Sequence, residues 1–531
     1  MLSERTIING LLVVAGMILG PYLIILTFEV NQIALLSFAA IVFLFAIFFL
    51  VKDRIAAFPY LGTYFGGTLN FLPLGFTPLE VFSLTTVLYF LINYVALKRR
   101  PLDGGPRLFL FPMLVIAAIV LIHDHSLKVM GGGQEGSRQG LLIILSFVVY
   151  ICAINIPSPS ATFWSRVPWW CFFLTCLASV PFILTTYFPS LAPYLFYVSG
   201  NVNMNAYMES VGLMDSSDTE RNLAFLGIGG ILQGILVAYF PINTWWRPKR
   251  WIIIILSFLC LYTTLSGGYR NGLLTFALTT FFGAVCYCRW RVLIILPLFV
   301  LVPLGMIFIQ DDHPAGIKLP GSVQRTLSFL PGQWDLDVIE SGESSNDFRA
   351  QIKRVYIAEY LYKSPWIGNG FSFDASEPEA YDAMAKTPGV SDPGYYTIKS
   401  FIVSKNLHVG WLSLYDAVGI IGGIAFIILN GTMIWTIGRL TFGNNMDTGS
   451  PLFPLKVFLF SNLAGGSIGF FTTFGSFSQG FIGMCACAII LVHLGRIDRG
   501  NMANIITPSP QMPKRLPRST EVFSPLGRST A

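Results

Sequence analysis

The chain has 531 residues, of which 54% are hydrophobic and 12% charged, with 45 Phe and a net charge of +6; its mean hydropathy is +0.64. Soluble domains carry about 25% charged residues, so this chain holds roughly half the charge needed to coat globular surfaces, which excludes an ordinary soluble enzyme. The Lys and Arg residues sit in short stretches between apolar runs rather than in a basic stripe interleaved with exposed aromatics, so they report topology and no nucleic-acid partner is expected.

Apolar runs of about 17 to 30 residues recur along the chain, the length that crosses a hydrocarbon core of about 30 Å as a helix. In chain order the expected spans are 7–26, 33–51, 58–76, 78–97, 107–123, 139–156, 168–187, 223–241, 250–266, 271–288, 291–310, 407–437, 452–474 and 477–496. The first follows Arg5 but is too long for a signal-peptide core and lacks a small-x-small cleavage site, so it reads as a span. The third contains Gly62, Gly66, Gly67, Pro73 and Gly75, and reads either as a span or as a re-entrant or interfacial segment. The fold class expected is all-α: a polytopic transmembrane helical bundle of about 12–14 spans with a large outer loop between late spans. It divides into an N-terminal bundle (1–310), a large, partly helical loop (311–406), C-terminal transmembrane helices (407–496) and a disordered basic tail (497–531).

With a cytoplasmic N-terminus and fourteen spans, the inner loops collect Lys52 and Arg54, then Lys98, Arg99, Arg100 and Arg107, then Arg166, Arg247, Lys249, Arg250, Arg289, Arg291 and Arg439, and the tail also lies inside. That leaves 124–138, 188–222 and about 311–406 outside. Loops beyond about 15 residues are typically functional or disordered; this last one holds Trp334, Trp366 and many Tyr, too aromatic for a linker, and is expected to fold on the membrane surface. The tail from about 500 is rich in Pro, Ser, Thr and Arg and reads as disordered. No fixed-period repeat is visible, which gives an inverted-repeat transporter no support. All eight Cys fall in or at the ends of apolar runs and read as packing residues.

Four groups of residues are candidates for chemistry. Gly267-Gly268-Tyr269-Arg270-Asn271-Gly272 forms an outer turn between two spans; Arg270 reads either as an anion site or as a side chain snorkelling to headgroups. Ser345, Asn346 and Asp347 offer an N-cap for a helix from Arg349 to Lys363, placing Arg349 and Lys353 near its N-terminus, where a phosphate would relieve their conflict with the helix dipole; a solvated basic face is the alternative. Gly368-Asn369-Gly370 follows Pro365-Trp366 as a turn able to expose backbone amides. His408 opens the next span, with Trp411, Leu412 and Tyr415 on one face, and reads either as a general base or as part of an aromatic belt; Asp416 lies farther along that face. His123, Asp124 and His125 look like a surface loop rather than a metal cluster, His313 and His493 have no suggestive neighbours, and no Walker loop, Rossmann fingerprint or nucleophile elbow occurs.

In order and spacing these features resemble the O-antigen ligase and O-antigen polymerase superfamily of bacterial envelope proteins, over roughly residues 250–440. The pieces carrying the resemblance are Gly268-Tyr269-Arg270, the loop from 311, Arg349, the Pro365-Trp366-Ile367-Gly368-Asn369-Gly370 turn, His408, and Gly419-Ile420-Ile421-Gly422. The chain departs from the family pattern at Tyr269, where Ser is usual, at Val409, where Asn often follows the His, and at Lys353, where Trp is common. The resemblance implies a metal-independent glycosyltransferase of the bacterial inner membrane, without a cofactor, working on the periplasmic face with both termini cytoplasmic. The donor would be an undecaprenyl-diphosphate-linked glycan, and the acceptor lipid A-core (ligase) or a second carrier-linked glycan (polymerase). It implies His408 as general base, Arg270 and Arg349 as a pyrophosphate clamp with Lys353 or Arg354 adding charge, and Gly368 and Gly370 as the loop turn. The alternatives are a lipid-linked oligosaccharide flippase or another polysaccharide-export membrane protein, such as a non-catalytic scaffold.

Overall fold

A computed structural model of the protein describes residues 52–70, 76–96, 107–123, 134–135, 137–196, 199–211, 223–245, 247–288, 319–331, 334–374, 376–390, 392–407, 409–443, 448–472 and 475–506. The expected spans 7–26, 33–51 and 291–310 lie outside the described residues, as do Lys98, Arg99, Arg100, Arg289 and Arg291 of the expected inner loops, the expected tail from 507, and His125, His313 and His408.

The architecture is a polytopic all-α bundle. Among the described residues, six helices are long and apolar enough to cross a membrane: α5 (Val167–Tyr187), α7 (Trp251–Ser266, extended by the turn Pro248–Arg250), α8 (Arg270–Cys288), α13 (Gly410–Phe442), α14 (Phe453–Thr472) and α15 (Phe477–Ile506). Shorter apolar helices α3 (Arg107–Ile122), α4 (Ser137–Ile154) and α6 (Leu223–Tyr239) pack among them. Small residues set the close approaches, since lipid offers no hydrophobic drive for helices to associate: Gly283 of α8 lies against Val237 of α6, and Gly465 of α14 against Leu278 of α8. Stripes left exposed, such as Ile420, Ile424, Ile427 and Ile428 on α13 or Ile252, Ile255 and Leu259 on α7, are apolar and face the bilayer.

The expected span 58–76 is not a continuous helix. Helix α1 covers Phe58–Gly62 after a tight turn Lys52–Ala57, and irregular backbone follows. Gly62 packs on Leu79 of α2 (Pro78–Phe90), where a Cβ would stand 3.0 Å from the neighbouring backbone, and Gly67 takes a φ of 91°, so the glycine-rich sequence ends the helix. The freed polar groups are met by protein: Thr175 of α5 donates to Tyr64 O at 3.1 Å, and Gly200 N donates to Thr68 O at 2.8 Å. Non-helical backbone at membrane depth is tolerated where protein covers it in this way.

Three basic residues, Arg54, Arg496 and Lys456, lie at one end of the bundle. Arg54 lies over Phe163, Arg496 donates to Ile154 O, and Lys456 pairs with Asp498 at 2.7 Å. These contacts carry α15 to Ile506, ten residues past its expected end. The opposite end carries the large loop, which is mostly helical where described: α9 (Gly321–Leu327), α10 (Leu336–Glu359), α11 (Ser376–Lys386) and α12 (Pro393–Val403). A small apolar core of Ile352, Tyr356, Ile398, Ile402, Leu407 and Leu412 joins α10 and α12 to the first turn of α13. Strand β1 (Gln134–Glu135) pairs antiparallel with β2 (Phe373–Asp374), tying the 124–138 segment to the loop. Nearby, the buried Glu80 of α2 completes a capping box with Thr77 and takes a bidentate pair from Arg138 of α4, at 3.0 and 2.7 Å.

Candidate functional site

Gly267 and Gly268 close α7 and turn the chain into α8. Gly268 takes a φ of 73°, and Gly267 and Gly272 lie against Leu226 of α6 where a side chain would collide, so the glycines let three helices meet at this corner. Arg270 is thereby the first residue of α8. A cation at a helix N-terminus opposes the macrodipole, a cost of about 0.3–1 kcal/mol. Its guanidinium turns onto the loop: Nη2 donates to Ser328 Oγ at 2.9 Å, and its carbon lies 5.9 Å from the Phe329 ring centre. Among the described residues no carboxylate pairs with Arg270.

Helix α10 leans on this arginine at Gly342, where a Cβ would stand 2.6 Å from Arg270 Nη2. The helix begins at Leu336 behind Asp335, not at the expected Ser345–Asp347 cap, and ends at Glu359 rather than Lys363. Asn346 and Asp347 instead lie on its exposed face, where polar side chains suit a continuing helix as well as they suit a cap. Arg349 is therefore mid-helix, and the dipole argument expected for Arg349 and Lys353 fails there; it applies to Arg270. The inward stripe of α10 runs Val338, Gly342, Ser345, Arg349, Ile352, Tyr356, alternating steps of four and three. At 1.5 Å per residue, the half-buried Arg349 stands about 10.5 Å along the axis from Gly342 and as far again from Tyr356. Lys353 is exposed with its Nζ 5.6 Å from the Trp411 ring centre, on the first turn of α13. Arg354 is exposed and stands about 140° around the helix from Arg349, so it is not brought to the stripe.

The Pro365–Gly370 turn docks into a break in α13. At Gly419 the backbone takes φ 62°, ψ −162°, a conformation open essentially to glycine alone. Ile420 N and Ile421 N, freed by the break, donate to Pro365 O at 2.9 Å and Trp366 O at 3.1 Å. Gly368 (φ 81°) fits because a Cβ would lie 2.6 Å from the Asp416 carbonyl oxygen and from two amide nitrogens. The two glycine-containing pieces, some fifty residues apart, thus interlock. Two of the turn's amides, expected to be open to a ligand, are taken by the protein: Gly368 N donates to Ser364 O at 2.9 Å and Asn369 N to Asp416 O at 2.5 Å. His123, expected in a surface loop, lies against Gly370 instead; its Nε2 is 2.9 Å from Ile367 O, and a Cβ on Gly370 would come within 2.8 Å of the ring.

At the foot of the break sits a buried polar hub that sequence reasoning left unassembled. Asp416, 4% exposed, accepts at Oδ1 from Tyr356 Oη (3.0 Å) and Asn369 Nδ2 (2.8 Å), and at Oδ2 from Lys405 Nζ (2.9 Å). Burial, and then the Asp416 carboxylate, push the Tyr356 hydroxyl well above the usual phenol range, so it remains a donor. Lys405 closes α12 in a Schellman motif, with Asn406 N donating to Phe401 O and Lys405 N to Ile402 O, and takes the φ of 62° that this position normally gives to glycine. A left-handed non-glycine residue costs about 1–2 kcal/mol. The one available signal was Asp416 itself, a carboxylate inside an apolar run.

His408 lies outside the described residues. Of its neighbours in sequence, Leu407 is 1% exposed in the loop core, and Val409, with extended backbone, precedes the first turn of α13. Arg270, Arg349, Lys353, Leu407 and Val409 thus lie at one end of the bundle, along and around one face of α10. Among the described residues no three His, Cys, Asp or Glu side chains gather at one point. No protein-family model matches the chain, and no curated protein matches its sequence.

Proposed function

We propose that the chain is a glycosyltransferase of the bacterial inner membrane that moves a glycan from an undecaprenyl-diphosphate carrier to an acceptor hydroxyl on the periplasmic face, the acceptor being lipid A-core or a second carrier-linked glycan. What carries the reading is Arg270: a guanidinium at a helix N-terminus, with no carboxylate partner among the described residues, packed against the stripe of α10 that also holds Arg349. Both the arginine and the helix N-terminus favour an anion, and a diphosphate matches the fork of a guanidinium. The gathering of basic residues at the opposite end supports an outer, periplasmic setting for this end and cytoplasmic termini.

In the reaction, the acceptor oxygen attacks the anomeric carbon and its proton passes to the His408 ring. The bond from that carbon to the phosphate oxygen breaks, and undecaprenyl diphosphate leaves with the electron pair, its charge met by Arg270 and Arg349. The test is transfer from a defined carrier-linked donor by the purified protein. His408→Ala should lower kcat by about 10²- to 10⁴-fold, and Arg270→Lys, which keeps charge but loses the fork, should weaken donor use. Undiminished transfer by His408→Ala at normal protein levels sinks the general-base role. Carrier movement across a bilayer without transfer would favour a flippase.

A further inference from the structure

The residues around Asp416 do more than fill a buried site. Its three side-chain partners come from three separate segments: Tyr356 from α10, Asn369 from the turn docked at the α13 break, and Lys405 from the connector between α12 and α13. Lys405 stands in a backbone conformation that glycine adopts without strain, so what a lysine adds there is its side chain, whose ammonium reaches Asp416. In sequence Lys405 and Leu407 precede residue 408 and Val409 follows it: Lys405 is held by its ion pair, Leu407 is buried, and Val409 leads into α13. We propose that Asp416 is a positioning residue: through Lys405 it holds Ser404–Leu407, the stretch that leads in sequence to His408, and through Tyr356 and Asn369 it locks that stretch to α10 and to the turn at the helix break. The proposal rests on the glycosyl-transfer reading for its kinetic consequence, though the tether itself does not.

A positioning role differs from a donor-binding role in what it changes. Asp416→Asn, nearly the same shape without the charge, should lower kcat at least tenfold while KM for the carrier-linked donor stays within about twofold. Asp416→Glu should restore part of the loss, and Lys405→Gln should reproduce it. The double variant should be little worse than either single one, because both changes break the same pair. If Asp416→Asn does not accumulate, Lys405→Gln decides, since it leaves Tyr356 and Asn369 on the carboxylate.

A second measurement does not depend on activity. In a His408→Cys background, the rate at which a membrane-impermeant maleimide labels the introduced thiol reports the connector directly; six of the eight native cysteines are buried. Lys405→Gln and Asp416→Asn should each change that rate at least threefold while leaving labelling of a Lys386→Cys control on α11 unchanged. Equal labelling rates in folded variants, or a loss confined to KM, would overturn the proposal. If the wild-type protein transfers no glycan, the functional reading falls, and the labelling rates still decide the tether.

Discussion

Replacing Gly342 by Ala should separate activity from stability. The added Cβ would stand 2.6 Å from Arg270 Nη2 and 3.3 Å from Ser328 Oγ. Ordinary contact begins near 3.4 Å, so the guanidinium must retreat by about 0.8 Å, which stretches its 2.9 Å bond to Ser328 to as much as about 3.7 Å, past a useful hydrogen bond. Losing a hydrogen bond from a charged donor costs about 1.5–3 kcal/mol when nothing replaces it. Against this, Ala in a helix interior is favoured over Gly by about 0.5–1 kcal/mol. The tip of an arginine is flexible and half-exposed here, so the net change should remain within about 2 kcal/mol, a shift of a few degrees in Tm. Catalysis is less forgiving, since a displacement near 1 Å in a positioning group costs up to about 10²-fold. Thermal unfolding of the purified protein, followed by Trp fluorescence, and steady-state transfer kinetics should therefore show near-normal Tm with activity down tenfold to a hundredfold. Full activity in a folded Gly342→Ala protein would refute the placement of Arg270 against α10 as a requirement of the reaction.

Gly419→Ala should behave in the opposite way. Its φ/ψ costs about 1–3 kcal/mol for a residue with a Cβ, and the new atom would lie 2.5 Å from the Trp366 carbonyl, so the interlock with the 365–370 turn should open and folded yield should fall sharply; a normal Tm would contradict the docking. The α10–α12 contact should depend on pH only at the extremes. Burial works against the Glu359 charge, but hydrogen bonds from Tyr395 and Lys399 together with nearby lysine charge hold its carboxyl below the usual range; burial likewise works against Lys399, whose contacts with Tyr395 and Glu359 raise it. The depressed Glu359 contributes stability that is present above the ordinary carboxylate value and is lost as pH falls through its own. The raised Lys399 contributes stability that is present below the ordinary lysine value and is lost as pH rises through its own. The pair should thus hold from about pH 4.3 to 10.4 and be worth roughly 0.2–1 kcal/mol. Hydrogen exchange in α12 should be flat, apart from the intrinsic pH dependence of exchange, across that window and rise below it; a step near pH 7 would contradict the assignment.

The membrane helices were the most legible part of the chain because length and hydropathy alone specify them: α3, α5 and α8 begin and end within a residue or two of their expected bounds. Hydropathy is blind to interruptions. The Gly419 break sits inside an unbroken apolar run, and the run that includes Phe58–Gly62 keeps its apolar character after its helix stops. In the loop, Ser345, Asn346 and Asp347 matched a helix start but lie mid-helix, with Asn346 and Asp347 on its exposed face. Arg270 stood out because it is the lone charge between residues 251 and 288, in a glycine-rich turn joining two apolar runs. Gly342, Ser328 and His123 did not, because each matters through a partner distant in sequence, and neither periodicity nor spacing encodes such a contact. Lys405 and Asp416 are eleven residues apart, a separation that puts them together only because the chain turns in a Schellman motif between α12 and α13.

The most direct test is a single-turnover experiment with the purified protein in lipid, a defined undecaprenyl-diphosphate-linked glycan, and either lipid A-core or a second carrier-linked glycan as acceptor. Expected is a glycan-extended acceptor formed together with one equivalent of free undecaprenyl diphosphate, and loss of both products in His408→Ala. Carrier left intact with both acceptors, in a protein that nevertheless moves the lipid-linked glycan from one leaflet to the other, would contradict glycosyl transfer as the function of this chain.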